Sequence, residues 1–334
     1  MKDAASIVLG FRSGGWPLRI ALVACISHAL PLDEARAQEQ TIFATRDHES
    51  HAFELKEFVL KNSKEVVAVR IVDERTFAQE VSKAAAPLFV TDAAQIQRLK
   101  NARDIDIRDK NGALGLAGEE MIHIVSLQET NITDIKDLAL RRLSLPVSLG
   151  PKSQATETHA LDAIRAVRQL SRNSGFTCSQ ANPRRILSCE NDAFDDQPAQ
   201  LAGRKRAAYF VTWRVPNPRV KHLAGQVSLS FAKIPDDVLA EMNRAGIESY
   251  QRKTIDLRHY GGTGLVPTAG FDIIVASTPK ASRHLKVTVA ALLYEKNPFV
   301  RKEALPRLLV SSNKVFKYDR EAALYLMKYD VKFQ

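Results

Sequence analysis

Cysteine is scarce, with three in 334 residues, which excludes a small fold held together by disulfides. The 15 glycines and 14 prolines are too few for a collagen-like or Pro/Gly-rich chain. The one long apolar run, Ile20 to Leu30, falls short of the about 20 residues that a transmembrane helix needs. No block of Lys and Arg with interleaved aromatics occurs, so no nucleic-acid partner is expected. G-x-S-x-G, H-E-x-x-H, P-loop and strand-following G-x-G-x-x-G patterns are all missing, so neither an enzyme nor a cofactor is expected. What is present is a 45% apolar share with 26% charged residues. That supports packed cores and excludes a wholly disordered chain. The length suits one large or two medium domains.

The N-terminus reads as an export signal over residues 1–37. Lys2, Arg12 and Arg19 precede the apolar run, Pro31 ends it, and Ala35-Arg36-Ala37 has the small-x-small pattern read by a signal peptidase. Cleavage after Ala37 is expected. A rival processing mode exists, because Leu22-Val23-Ala24-Cys25 resembles a lipobox that would place a lipid on Cys25. A buried N-terminal helix is the bland alternative. Removing residues 1–37 takes away four basic and three acidic residues, so the net charge moves from +10 to +9. Such a charge favours anionic small molecules or acidic surfaces. Its basic residues are dispersed, as on a solvated face. A periplasmic location is expected, and there the remaining pair, Cys178 and Cys189, reads as a local disulfide. A metal or a catalytic thiol are the competing readings, and no nearby His or C-x-x-C supports a metal.

Along the mature chain, short β-rich runs alternate with amphipathic helical stretches, the mark of an α/β protein. Strands are expected at 41–45, 66–72, 121–127, 143–149, 207–213, 227–232 and 271–277. A helix with Ala52, Leu55, Phe58 and Val59 on one face separates the first two. Another carries Leu161, Ile164 and Val167, and Thr133-Asp134 reads as a helix cap. TVAALLYE and REAALYLMKY read as helices near the C-terminus, and YGGTG (260–264) as a turn.

The segment MIHIVSLQETNITDIKDLALRRLSLPVSLGPKSQATETHALDAI orders a strand, an I-x-x-I-x-D-L helix, a short strand, an S-L-G-P turn and a Ser/Thr-rich helix start. It resembles the middle of the TAXI-type solute receptors of tripartite ATP-independent periplasmic (TRAP) transporters, within the type II periplasmic binding proteins. RAAYFVTWRVPNPRVKHLA and YGGTGLVPTAGFDIIVAS resemble two later parts of that family. The resemblance implies an α/β fold of two lobes with a ligand cleft between them, joined by crossing strands. Lobe I would be 38–122 plus 230–334, and lobe II 123–229. The family carries a glycine-rich run after its first strand, whereas Arg46-Asp47-His48-Glu49-Ser50-His51 holds no glycine.

On this resemblance the candidate ligand-binding residues are Arg46, Ser50, Asp92, Ser148, Gly150, Ser153, Thr156, Trp213 and Arg214. The turn from Ser148 to Thr156 would offer backbone N–H donors and two hydroxyls at a helix start, which favours a carboxylate or phosphate. Alternatively Ser153 or Thr156 merely caps the helix. Arg214 could grip a carboxylate with paired hydrogen bonds beside a Trp213 wall, or simply lie on the surface. Arg46 and Ser50 could add a cation and a hydroxyl, or belong to a solvated loop. Asp92 could bind an ammonium or cap the following helix. His48 and His51 invite a metal reading, but no third ligand is identifiable, so no metal is expected.

The function implied is a periplasmic receptor, a monomer, that captures a small organic acid or amino acid for TRAP membrane permease subunits. The alternative is a ligand sensor docking to a membrane signalling partner. An exported enzyme on the same scaffold is a third reading, which would need a reactive group in the cleft.

Overall fold

The computed structural model describes residues 40–83, 87–103, 107–108, 110–140, 143–171, 178–179, 187–245, 250–296 and 316–329. The export signal and its cleavage point lie outside these residues. In chain order the elements are β1 (Gln40–Ala44), α1 (Glu49–Asn62), β2 (Val67–Ile71), α2 (Glu74–Ser82), β3 (Leu88–Thr91) and α3 (Ala93–Arg103). Next come β4 (Gly112–Leu127), α4 (Asp137–Leu140), β5 (Val147–Ser148), α5 (Ala155–Ser171), β6 (Cys178–Ser179) and β7 (Leu187–Glu190). Then follow α6 (Gln197–Ala202), β8 (Ala208–Trp213), α7 (Pro218–Ala224), β9 (Leu229–Phe231), α8 (Asp236–Ala245) and β10 (Gln251–Asp256). The described residues end with β11 (Leu265–Ser277), α9 (Arg283–Glu295) and a last helix, α10 (Arg320–Leu326).

The strands form a mixed sheet in the order β2-β1-β3-β11-β4-β8-β5-β7-β6, with β10 beside β11 and β9 beside β4. One half is parallel through β2, β1 and β3, and the other through β8, β5, β7 and β6. Two long antiparallel strands join the halves, giving a two-lobed α/β fold with crossing strands. β4 pairs with β11 through its first half and with β8 and β9 through its second, changing partners at Met121. The chain crosses back after β9: the Ala232 amide donates to the Ile124 carbonyl and the Ile234 amide to the Pro267 carbonyl.

Both faces of the sheet are covered, which is why its strands are apolar runs. Along β1, Ile42 and Ala44 face the main core under α1, while Phe43 faces a second cluster with Phe77, Phe89 and Phe316. Side chains alternate across a strand, so β8 divides in the same way. Ala208 and Phe210 join the main core, and Tyr209 and Val211 pack with Leu201, Val220 and Phe231. The pair read as a disulfide is bonded: Cys178 and Cys189 join β6 to β7. Among the described residues no helix is long and apolar enough to cross a membrane.

Candidate functional site

Four chain segments leave the carboxyl ends of strands and line one cavity of about 540 Å³. Arg46–Ser50 follow β1, Pro151 and Gln154–Thr156 follow β5, Ala193–Asp195 follow β7, and Thr212–Trp213 end β8. Glu120 from β4 and Arg219 from α7 complete the lining. In open α/β sheets, ligands bind at the carboxyl ends of strands where the strand order changes. A larger hollow of about 730 Å³, lined by Leu127, Glu129 and Arg204 among others, lies elsewhere. It is an open surface depression whose Glu129 and Arg204 already pair with each other.

The segment after β1 folds as a single 3-10 turn, Arg46–His48, running straight into α1. That turn carries Asp47 across to the start of α5, where its Oδ2 accepts the Ala155 N–H at 2.7 Å. A carboxylate there meets the positive end of the helix. Its neighbour His48 points inward, and its Nε2 lies 2.7 Å from Asp92 Oδ2 while Nδ1 lies 3.3 Å from Thr45 Oγ1. Burial works to lower the His48 pKa, but the hydrogen bond and charge of Asp92, with the charges of Asp47 and Glu120, raise it above its ordinary value. Burial likewise works to raise Asp92, yet His48, His159 and the Gln95 amide hold it well below the usual carboxylate range.

A polar chain continues from this pair. Asp92 Oδ1 caps α3 by accepting the Gln95 N–H at 2.9 Å, and His159 Nε2 lies 3.9 Å from the same oxygen. His159 Nδ1 meets the Tyr250 hydroxyl at 2.8 Å, and that hydroxyl donates to Asp162 Oδ2 at 2.9 Å. His159 also stacks on Phe271 at 3.8 Å between centroids. The chain of polar groups thus ties β1, α3, α5 and β10 together beneath the cavity.

On the cavity wall, Glu120 Oε1 accepts from His51 Nε2 at 2.8 Å. Gly118 makes room for this pair, because a Cβ there would lie 2.9 Å from His51 Cε1. Thr156 Oγ1 and Thr212 Oγ1 are 2.6 Å apart, joining the α5 start to the end of β8. Arg219 Nε donates to Asp195 Oδ1 at 2.7 Å, and its guanidinium lies over the rings of Phe194 and Trp213 at 5.9 and 6.0 Å.

Of the residues singled out from the sequence, Arg46, Ser50, Thr156 and Trp213 line the cavity. Five others lie elsewhere. Asp92 is fully buried and spends its carboxylate on His48 and the α3 cap. Ser148 is buried with its hydroxyl accepting from Gln197 Nε2. Gly150 serves the turn, with φ +87° and Thr156 Cγ2 only 2.7 Å from where its Cβ would stand. Ser153 is exposed at φ +63°, its amide held by Glu157. Arg214 reaches over to α1, where its Nη1 donates to Glu54 Oε2 at 2.9 Å and its Nη2 to Oε1. Asp47, His48, Glu120, Thr212, Asp195 and Arg219 were not among the candidate ligand-binding residues. The one available signal was the missing glycine run after β1, since the turn that replaces it supplies Asp47 and His48. Among the described residues no group of three His, Cys, Asp or Glu side chains is arranged to hold a metal.

The model of the NMT1-like family matches residues 113–315. No curated protein matches the chain. Among solved structures, a Xanthomonas citri protein bound to ATP is similar at 11% identity and a TM-score of 0.45, over 86% of this chain and 94% of that one. Lactococcal OpuAC, closed on glycine betaine, is similar at 11% identity and 0.42, over 87% and 96%. Peb3 from Campylobacter jejuni is similar at 12% identity and 0.41, over 78% and 95%.

Proposed function

The chain belongs to the NMT1-like family, and from that premise we propose that it is a periplasmic solute receptor of the type II binding-protein kind. It captures a small solute and hands it to a membrane transporter; the TAXI resemblance makes that transporter a TRAP permease. In this reading the chain is exported, cut after Ala37 and monomeric, and lobe I (38–122 plus 230–334) closes on lobe II (123–229). The observation that carries the proposal is the convergence of four strand ends from both halves of the sheet on one cavity. Closing lobes and a few placed polar groups suffice for capture without any covalent step.

The solute carries a carboxylate in this reading. Arg46 is exposed at the cavity rim, where it can meet an anionic end. The test is a thermal-shift screen of the exported protein over organic acids, amino acids and amines. A binder at a hundred times its dissociation constant should add about 2.7 kcal/mol of stability. A screen of these classes without a single stabilising solute contradicts the receptor reading.

A further inference from the structure

We propose that Glu120 is the counter-charge for a positively charged nitrogen on the solute, so that the cavity takes an amine or amidine cation at its β4 wall. The proposal deepens the receptor reading and rests on it. Glu120 is only 4% exposed and yet lines the cavity. Its Oε1 is bound by His51, and no hydrogen bond reaches Oε2 among the described residues. His51 Nε2 occupies only one of the two carboxyl oxygens. Its Nδ1 is buried with no partner. The other imidazole nearby, His48, is committed to Asp92 at 2.7 Å.

Glu120 is therefore a buried carboxyl group on the cavity lining, with one oxygen bound by His51 and the other without a hydrogen bond among the described residues. Buried charges are ordinarily paired, because leaving water uncompensated is costly. The rest of the lining agrees. The anion position at the α5 start is already filled by Asp47, and Arg219 is already held by Asp195. Among the described residues no three side chains are arranged as metal ligands, so the single Glu120 carboxyl suits a nitrogen cation better than a metal ion.

The experiment compares butylamine, γ-aminobutyrate and butyrate, alone and within a wider panel of amines and acids, by thermal shift and calorimetry. The wild type should bind amine-bearing members in preference to butyrate. E120Q should lose about ten- to a hundredfold in amine affinity, the effect of deleting one charge-assisted hydrogen bond, and leave acids lacking nitrogen unaffected. Circular dichroism checks that E120Q folds. E120D, which keeps the charge but draws it back, gives the second reading and should weaken amines less than E120Q. If only nitrogen-free acids bind, or if both variants bind amines like the wild type, the proposal fails while the receptor reading stands. If no panel member binds at all, both fail.

Discussion

His123 sits in the second half of β4, fully buried, where the chain crosses between the halves of the sheet. Its Nε2 lies 3.0 Å from the Tyr260 hydroxyl, and its Nδ1 lies 3.1 Å from the Met121 carbonyl. That hydroxyl accepts the Asn217 N–H at 2.8 Å, which leaves its own hydrogen for Nε2. The ring is therefore neutral, with its hydrogen on Nδ1. Burial lowers its pKa from 6.5 to about 4. A histidine depressed on folding stabilises the native state above its unfolded value and loses that contribution as pH falls through the folded value. The difference of about 2.5 pH units is worth about 3 kcal/mol, most of it lost between about pH 6.5 and 4. The comparison is with His123→Phe, which lacks this proton, so that every other pH-dependent contribution cancels. Urea denaturation of both proteins from pH 7 to 4 should show the wild-type advantage shrinking by about 3 kcal/mol. An advantage constant to within about 1 kcal/mol over that range would refute the reasoning.

Asp92→Ala should cost about 3–5 kcal/mol, since it leaves His48 buried without its counter-charge and α3 without its cap. Asp92→Asn should cost less, because the amide oxygen can still accept the Gln95 N–H. His48 is raised, so its share is lost as pH climbs above about 6.5; Asp92 is lowered, so its share is lost below about 4. The Asn penalty in urea melts should accordingly peak between those values. Gly118→Ala should cost about 1–3 kcal/mol in the same assay, because the new methyl displaces the His51 ring from Glu120. Arg214→Ala should change stability by less than about 1 kcal/mol, as expected for an exposed ion pair, and calorimetry should find solute affinity unaltered. Titration of unreduced, denatured mature protein should find no free thiol at Cys178 or Cys189.

Much of the fold was legible because its signals are local. Ala52, Leu55 and Val59 are buried on α1, and Ile164 and Val167 on α5, where helical spacing put them. The runs at 41–45, 66–72, 207–213 and 227–232 match strands to within one or two residues. β4 is longer than its apolar run at 121–127. Its first half, GALGLAGEE, is a glycine-broken stretch that becomes a strand only by pairing with β11 and packing against α1 and α9. Of the run at 143–149, only Val147–Ser148 pair as a strand. The site was harder to read. Asp92 was legible as a cap, since the residue type and the following helix suffice, but its bond to His48 spans 44 positions. Glu120 with His51 and Asp47 with Ala155 are pairings of the same distant sort, 69 and 108 positions apart. Arg214 looked like a cleft residue because it follows a strand end. A partner on α1, Glu54, decides its direction instead.

Hydrogen–deuterium exchange with and without the tightest binder of the solute panel tests the receptor account most directly. The account predicts slowed exchange at Arg46–Ser50, Gln154–Thr156, Ala193–Asp195 and Thr212–Trp213 together, because one solute would hold segments from both halves of the sheet. Protection confined to one of these halves, or to the Leu127 and Ala202–Arg204 surface, would contradict it.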